Sequence, residues 1–375
     1  MRGIDLVRER LRNQWLHGAP SGSRAPEVVR WLGAVQAQDY GAAKWGVAQR
    51  AGDLSGTDLD MALADGSILR THILRPTWHF VLPADIQWML RLTAPRVKAL
   101  MAFGNRESGL DDATCARSNR AIAAALQGGR QLTRPELGAV LRGAGVDFPD
   151  MVGLGRLLVR AELDAVVCSG ALRGKQHTYA LLDERVPLAD EIDRDSALAE
   201  LAGRYFASHG PATVKDFAWW SGLSVSDATA GAKTATANLQ QTEIRGSTYW
   251  FAPPQARRRR QQAARAHLLP NFDEYTVAYA DREPIREAGD IAHFDSRGDT
   301  IFNNVVLVDG CVIGTWNRVA RKATVHVTAY LFRSAAEDET VAITAAAERY
   351  GRFLGLPAEV AFRRFEPGVV SSATR

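Results

Sequence analysis

Two glutamines one residue apart, Gln36 and Gln38, are the side chains whose type and spacing suggest joint chemistry. They flank the small Ala37 in the run VQAQDYGAAKWGVAQR, residues 35–50. In an extended segment, side chains at i and i+2 share a face, so the two amides converge. In a helix the same pair diverges by about 200° and means little. Gly33, Gly41 and Gly46 argue against one long helix here. An amide titrates far from neutrality and is a poor general base. It can instead place a water and present partial negative charge. Asp39 adjoins the pair but points the opposite way in a strand, and reads as structural. Asp273, in NFDEY, is a second carboxylate that either caps a turn or orients a site group.

Other chemistry is poorly represented. Nucleophile elbows, Walker loops, HExxH and GxGxxG are all missing, which makes common nucleotide and zinc chemistry a poor fit. The 8 histidines are scattered without metal-ligand spacing, so no metal or organic cofactor is implied. Cys115, Cys168 and Cys311 are odd in number and far apart, which excludes a CxxC site and a disulfide framework and fits a reducing cytoplasm.

The elements that must position Gln36 and Gln38 follow a repeated grammar of three helices and a hairpin. It is clearest at about 117–186, where Thr133 and Glu136 form a T-x-x-E capping box around Pro135. Two further helical stretches and a hairpin around Gly174 complete this unit. The same order recurs at about 195–252, with a hairpin turning at Arg245-Gly246-Ser247, and less cleanly at 1–90. Helix–helix–helix–hairpin is the winged-helix pattern. From about 266 the chain becomes rich in strand patterns, with a hairpin at Asp309-Gly310 and a long closing helix in SAAEDETVAITAAAERYGRFLGL. The expected fold is α+β: winged-helix units at 1–110, 111–190 and 191–256, then a β-rich module at 257–375.

Composition permits this organisation without specifying it. The 375 residues are 46% hydrophobic and 23% charged, which excludes a largely disordered chain and suggests several domains. No uncharged apolar run approaches the ~20 residues that span a bilayer, and no membrane association is expected. The 46 Lys+Arg face 42 Asp+Glu, and 40 of the 46 are arginine. Guanidinium suits phosphate, but GC-rich coding yields the same excess, so placement matters more than number. The run Arg257–Arg260 reads as a solvated face.

Four segments, Gln36-Ala37-Gln38-Asp39, RTHILRPTWHFV (70–81), LLPNFDEYTVAY (268–279) and GTW (314–316), together resemble the AlkZ-type DNA glycosylase family of tandem winged-helix proteins. The likeness covers essentially the whole chain. The family carries a Gln-x-Gln or Gln-x-Asp catalytic motif. The Gln-x-Gln form seen here is similar to the branch that acts on bulky alkylated guanines and interstrand crosslinks, in repair or in self-resistance beside genotoxin synthesis. The resemblance implies a monomeric, monofunctional glycosylase whose partner is double-stranded DNA with alkylated purines, and whose catalytic residues are Gln36 and Gln38. Asp39 and Asp273 are then possible accessories.

Two amides suit that reaction. An N7-alkylated purine is already cationic and a good leaving group, so the enzyme needs to place a water and favour positive charge on the sugar. Full base flipping is then unnecessary, since a crosslinked guanine cannot leave the stack without its partner. Phosphate contacts are expected from Lys44 and Arg50 after the motif, from Arg70, His72, Arg75 and His79 in the 70–81 segment, and from Arg318, Arg321 and Lys322 after the C-terminal hairpin. Trp78, amid apolar residues, reads as core. The rival reading is a non-catalytic winged-helix regulator or architectural protein, disfavoured by the Gln-x-Gln run.

Overall fold

Short capping motifs set where the helices begin, and the computed structural model describes the outcome for residues 5–52, 54–187, 191–253, 265–285 and 304–366. Arg257–Arg260 lie outside the described residues. In the first block, Asp5 caps α1 (Leu6–Asn13), and α2 (Ala25–Leu32) buries Val28, Val29 and Leu32. Strand β1 (Val35–Gln36) follows, then α3 (Tyr40–Gln49), α4 (Gly56–Ala64) behind a Ser55–Asp58 capping box, and the hairpin β2 (Leu69–His72) and β3 (Trp78–Val81). The 25-residue α5 (Pro83–Glu107), entered through a proline in its first turn, leads into the second block.

That block holds α6 (Asp112–Leu126), β4 (Leu132–Thr133), α7 (Arg134–Gly143), α8 (Met151–Leu163), β5 (Val167–Ser169), β6 (Thr178–Leu181) and the short α9 (Leu182–Arg185). The Thr133–Glu136 capping box forms as its spacing predicts. The third block holds α10 (Arg194–Ser208), α11 (Val214–Ser221), α12 (Val225–Thr234), β7 (Gln240–Ile244) and β8 (Ser247–Phe251).

The three blocks share more than element order. In the first two, the strand before the middle helix joins the hairpin by pairing with its second strand, giving sheets β1-β3-β2 and β4-β6-β5. In the third, Ala212 makes the equivalent bridge to Trp250 of β8. Gln36 therefore occupies in block one the strand position that Leu132–Thr133 occupy in block two. One expectation changes here. The middle helix of block one is α3, inside the 35–50 run, whereas the apolar pattern of the sequence predicts it at 25–35, with α1 as the first helix of the unit. As the glycines indicate, the run is not one long helix: it is extended at Val35–Gln36 and helical from Tyr40 to Gln49. A Cβ on Gly46 would lie 3.1 Å from the Asp273 carboxylate, so this glycine serves close approach.

The last block is a five-stranded sheet, β13-β12-β11-β10-β9, made of β9 (Ala266–Leu269), β10 (Val305–Val308), β11 (Cys311–Ala320), β12 (Val325–Leu331) and β13 (Ala358–Arg364). The turn between β10 and β11 is Asp309-Gly310, both residues at positive φ. The short helix α13 (Glu274–Val277) follows β9, and α14 (Glu337–Leu354) lies on the sheet. The long helix expected to close the chain is followed by β13, which runs parallel to β12 at the sheet edge. Its mostly exposed side chains, AEVAFRR, offer no strong period-two signal.

Trp45 of α3 joins the first block to this sheet. It packs among Val306, Trp316, Val327 and Tyr350, and its indole N–H donates to the Leu268 carbonyl at 2.7 Å. No helix among the described residues is long and apolar enough to cross a membrane.

Block three meets block one just as closely. Gly222 ends α11 at φ +68, and a Cβ there would lie 2.2 Å from the Leu74 carbonyl oxygen. Gly355, at φ +69 after α14, has nothing within 4 Å of the same position. Gly222→Ala therefore combines backbone strain with a backbone clash, and is expected to cost roughly 2 kcal/mol or more. Gly355→Ala carries the strain alone, about 1 kcal/mol. Urea unfolding of the two variants tests the difference, and equal losses would contradict the close packing at Leu74.

Candidate active site

Backbone pairing decides how Gln36 is presented. Val35 pairs with Phe80 and Gln36 with His79, and the Ala37 N–H donates to the Trp78 carbonyl at 2.7 Å. The chain is thus extended through Ala37. Val35 and Ala37 turn into the core, at 5% and 0% exposure. Strand alternation sets Gln36 on the other face, and Gln38 lies just beyond the paired residues, in the bend before α3. Gln36 is buried, and Gln38 is exposed, its side-chain oxygen 3.4 Å from the Trp78 N–H. Asp39 then ends the extended segment by accepting from Ala42 N at 3.0 Å, as the N-cap of α3. Its role here is structural.

Gln36 is held from two directions. Its backbone N–H donates to Glu274 Oε1 at 2.6 Å, and its side-chain oxygen accepts from Arg75 Nη2 at 2.7 Å. Glu274 is 1% exposed, and its other oxygen accepts from the Trp220 indole at 2.9 Å. Burial opposes its charge, but His209, the Gln36 amide and the Arg75 guanidinium outweigh that, and its pKa falls to about 2. His209 lies 3.6 Å away, beyond hydrogen-bond range, and burial lowers its own pKa. The Gln36 amide and the Trp220 indole are the donors that lie within hydrogen-bond distance of its oxygens.

Asp273, adjacent in the chain, is taken up by partners of its own. Its two oxygens accept from Arg50 at 2.7 and 2.8 Å, with both side chains about 1% exposed, and it caps α13 through Tyr275 N. Arg50, expected at a phosphate, is thus committed to Asp273, Gln14 and the Gly46 carbonyl. Removing one partner of such a buried pair costs roughly 3–5 kcal/mol, so this guanidinium is not free for DNA.

Most of the other expected phosphate contacts are also drawn inward. Lys44 is bound to both oxygens of Asp60, at 2.8 and 2.9 Å. Arg70 is buried, donates to the Ala37 carbonyl at 3.0 Å, and stacks 4.3 Å over the Trp78 ring. His72 is buried against Glu162 of α8, and His79 is fully buried opposite Gln36. Strand positions 70, 72 and 79 face packed neighbours because the 70–81 hairpin is covered on both sides. Arg75 reaches Gln36. Arg321 and Lys322, at the tip between β11 and β12, are exposed, and Arg318 is half-buried near Trp316 and Tyr350. Trp78, expected in the core, is half-buried, and its indole N–H reaches Glu162 at 3.3 Å.

Sequence reasoning misses Glu274, Glu162, Trp220 and His209. Glu274 sits beside Asp273 in the quoted NFDEY segment, which is the available signal. The other three are brought in by packing between distant blocks. Among the described residues, no group of three or more His, Cys, Asp or Glu is placed to hold a metal ion. The arrangement offers an oriented amide, a second exposed amide and a buried charge, which suits placing a water beside a group that gains positive charge.

The family model described as DNA glycosylase AlkZ-like matches residues 29–353. An interstrand DNA cross-link repair glycosylase from Streptomyces sahachiroi is 26% identical over 330 residues, 84% of this chain and 88% of that protein. The solved structure of Streptomyces sahachiroi DNA glycosylase AlkZ is similar in fold, with a TM-score of 0.74 at 22% identity, over 96% of this chain and all of that one.

Buried imidazoles beside the site make stability depend on pH. His79 donates Nδ1–H to the Thr77 carbonyl at 2.9 Å, and burial, then Arg75, lower its pKa to about 3. Below the ordinary value of 6.5 the unfolded chain takes up a proton that the fold refuses. Stability is therefore lost as pH falls from about 6.5 toward 3. Between pH 7 and 5.5 this one group is expected to remove about 1 kcal/mol. Urea unfolding at both pH values should show that His79→Gln loses less than the parent, and an unchanged difference would mean that His79 does not bury neutral.

Proposed function

The chain belongs to the AlkZ-like DNA glycosylase family and is a DNA glycosylase, a hydrolase of N-glycosyl bonds; we propose that it releases N7-alkylated purines, including bulky adducts and interstrand crosslinks, from double-stranded DNA. The observation that carries the reading is the Gln36 amide, held by Glu274 and Arg75 beside an exposed Gln38. The Streptomyces sahachiroi relative, named for interstrand DNA cross-link repair, supports the larger substrates.

The chemistry matches an activated leaving group. The C1′–N9 bond breaks, and its electron pair neutralises the cationic purine. Water adds to the oxocarbenium-like sugar, gives up a proton to solvent, and leaves an abasic site. An amide cannot deprotonate that water ahead of bond cleavage, so the base must leave by virtue of its own charge. Gln36 and Gln38 are then the catalytic residues. Asp273 and Asp39 hold the elements around them, and Arg318, Arg321 and Lys322 are the contacts to phosphate.

The three helix–hairpin blocks support a tandem winged-helix reading, with units at 1–110, 111–190 and 191–256 and the β-rich module at 257–375. The recurring strand before each middle helix, bridged to the hairpin, favours it. In this reading the active-site glutamines lie on and just after a sheet strand of the first unit, and the protein acts as a monomer.

Duplex DNA carrying N7-methylguanine should yield alkali-labile abasic sites. The Gln36→Ala, Gln38→Ala double variant should lose on the order of 100-fold or more in rate while still binding the duplex. Undiminished release by that variant would remove the catalytic assignment. A duplex with an uncharged lesion such as hypoxanthine should not react at a comparable rate, and equal rates would remove the restriction to cationic bases. Replacing Arg321 and Lys322 by Ala should weaken duplex binding and reduce its salt slope by about 2.

A further inference from the structure

We infer that Arg75 is a positioning residue that divides the work of the two glutamines: it holds the Gln36 oxygen, so Gln36 meets the water as a donor through Nε2, while Gln38 meets it as the acceptor. The inference rests on the reading of Gln36 and Gln38 as the catalytic pair, and it assigns each amide an end.

The assignment follows from donor chemistry. A guanidinium carries five N–H donors and no acceptor, so the side-chain atom it meets at 2.7 Å must be the Gln36 oxygen. The amide NH2 then points away from Arg75. Rotation of the amide would set NH2 against guanidinium N–H and lose the bond, so one orientation is enforced. The backbone of Gln36 is fixed as well, by the 2.6 Å bond to Glu274. Only the torsions between these two anchors remain, and the bond to Arg75 constrains those.

Arg75 is itself built in. It lies in a tight loop between β2 and β3, where Arg75 N–H donates to the Ile73 carbonyl and Thr77 N–H to the Arg75 carbonyl, each at 2.7 Å. Leu74 takes φ +63, a conformation that few bulky residues adopt without support, and Gly222 packs on its carbonyl. The guanidinium also faces the Glu274 charge, which lets a cation stand near a sugar that becomes positive. Arg75 and Glu274 together are close to neutral, so the pair orients without repelling the transition state.

Gln38 is in the opposite situation. Among the described residues its oxygen meets the Trp78 N–H at 3.4 Å, a long contact that leaves acceptor capacity, and the side chain is exposed. A water between the two amides can accept from Gln36 Nε2 on one lone pair, donate a proton to Gln38 Oε1, and keep its second lone pair for C1′. Two amide oxygens facing the water would compete for its protons and leave its orientation free.

Carboxylate substitutions separate the roles, because they keep the acceptor and delete the donor. Single-turnover release of N7-methylguanine from a duplex should fall for Gln36→Glu to the level of Gln36→Ala, although the introduced carboxylate can still pair with Arg75. Gln38→Glu should retain at least about tenfold more of the rate than Gln36→Glu. Arg75→Met should lower kcat by about tenfold or more with KM changed less than twofold, and Arg75→Lys should recover part of that loss. Thermal unfolding of each variant accompanies the kinetics, and if Arg75→Met unfolds, the two carboxylate variants decide alone.

Gln36→Glu matching the parent, or Gln38→Glu falling as far as Gln36→Glu, overturns the division of roles. So does a folded Arg75→Met with the parent kcat. Each of these leaves the catalytic pair standing as long as the double alanine variant is inactive. An active double alanine variant removes the underlying reading instead.

Discussion

A carboxylate buried to 1% exposure and still ionised is costly to keep, and Glu274 is both. Withdrawing such a charge from water costs several kcal/mol unless donors replace the lost hydration. Its support here comes from three separate parts of the chain: the Gln36 amide from β1 and the Trp220 indole from α11 donate to it, and the Arg75 guanidinium in the β2–β3 loop acts through its charge. Each must be in place for the charge to be tolerable, and each is thereby held in place. In return, Glu274 holds the backbone of Gln36 and offsets the charge of the cation that touches its side chain. The adjacent Asp273–Arg50 pair fixes α13 itself against α3. Site geometry in this protein is a consequence of charge burial.

How much of this can be read from the sequence depends on how local each signal is. The presentation of Gln36 is legible because strand alternation is a near-neighbour signal, and pairing with β3 keeps the chain extended there. The Thr133–Glu136 box and the Asp309-Gly310 turn are legible for the same reason. The basic residues are not. Lys44, Arg50 and Arg70 have the composition of phosphate ligands, yet each has a partner supplied by packing: Asp60, Asp273 and the Ala37 carbonyl. Residue type cannot show whether a cation is committed. Gly46 is legible only in part, since glycine signals a helix break and a close approach equally, and the carboxylate that it admits lies 227 residues further along the chain.

The recurrence of strand, helix, helix and hairpin also explains where the chemistry came to sit. In the second block the equivalent strand ends in Thr133, which caps α7, and in the third it shrinks to the Ala212 bridge. The first block alone meets Glu274 from the C-terminal module across this strand. A backbone N–H that would otherwise find a ladder partner or water is given to a carboxylate, and the side chain beside it becomes an oriented amide.

The bond between Gln36 and Glu274 spans 238 residues. During synthesis at ~5–20 residues per second, the strand bearing the glutamines precedes its carboxylate by some tens of seconds. For that interval the first three blocks can acquire helices, hairpins and cores, but Gln36 has no Glu274 to donate to and Arg50 has no Asp273. A growing chain can therefore form most of its elements while the strand that bears Gln36 is still unanchored. Both anchors, Asp273 and Glu274, arrive together in one late segment.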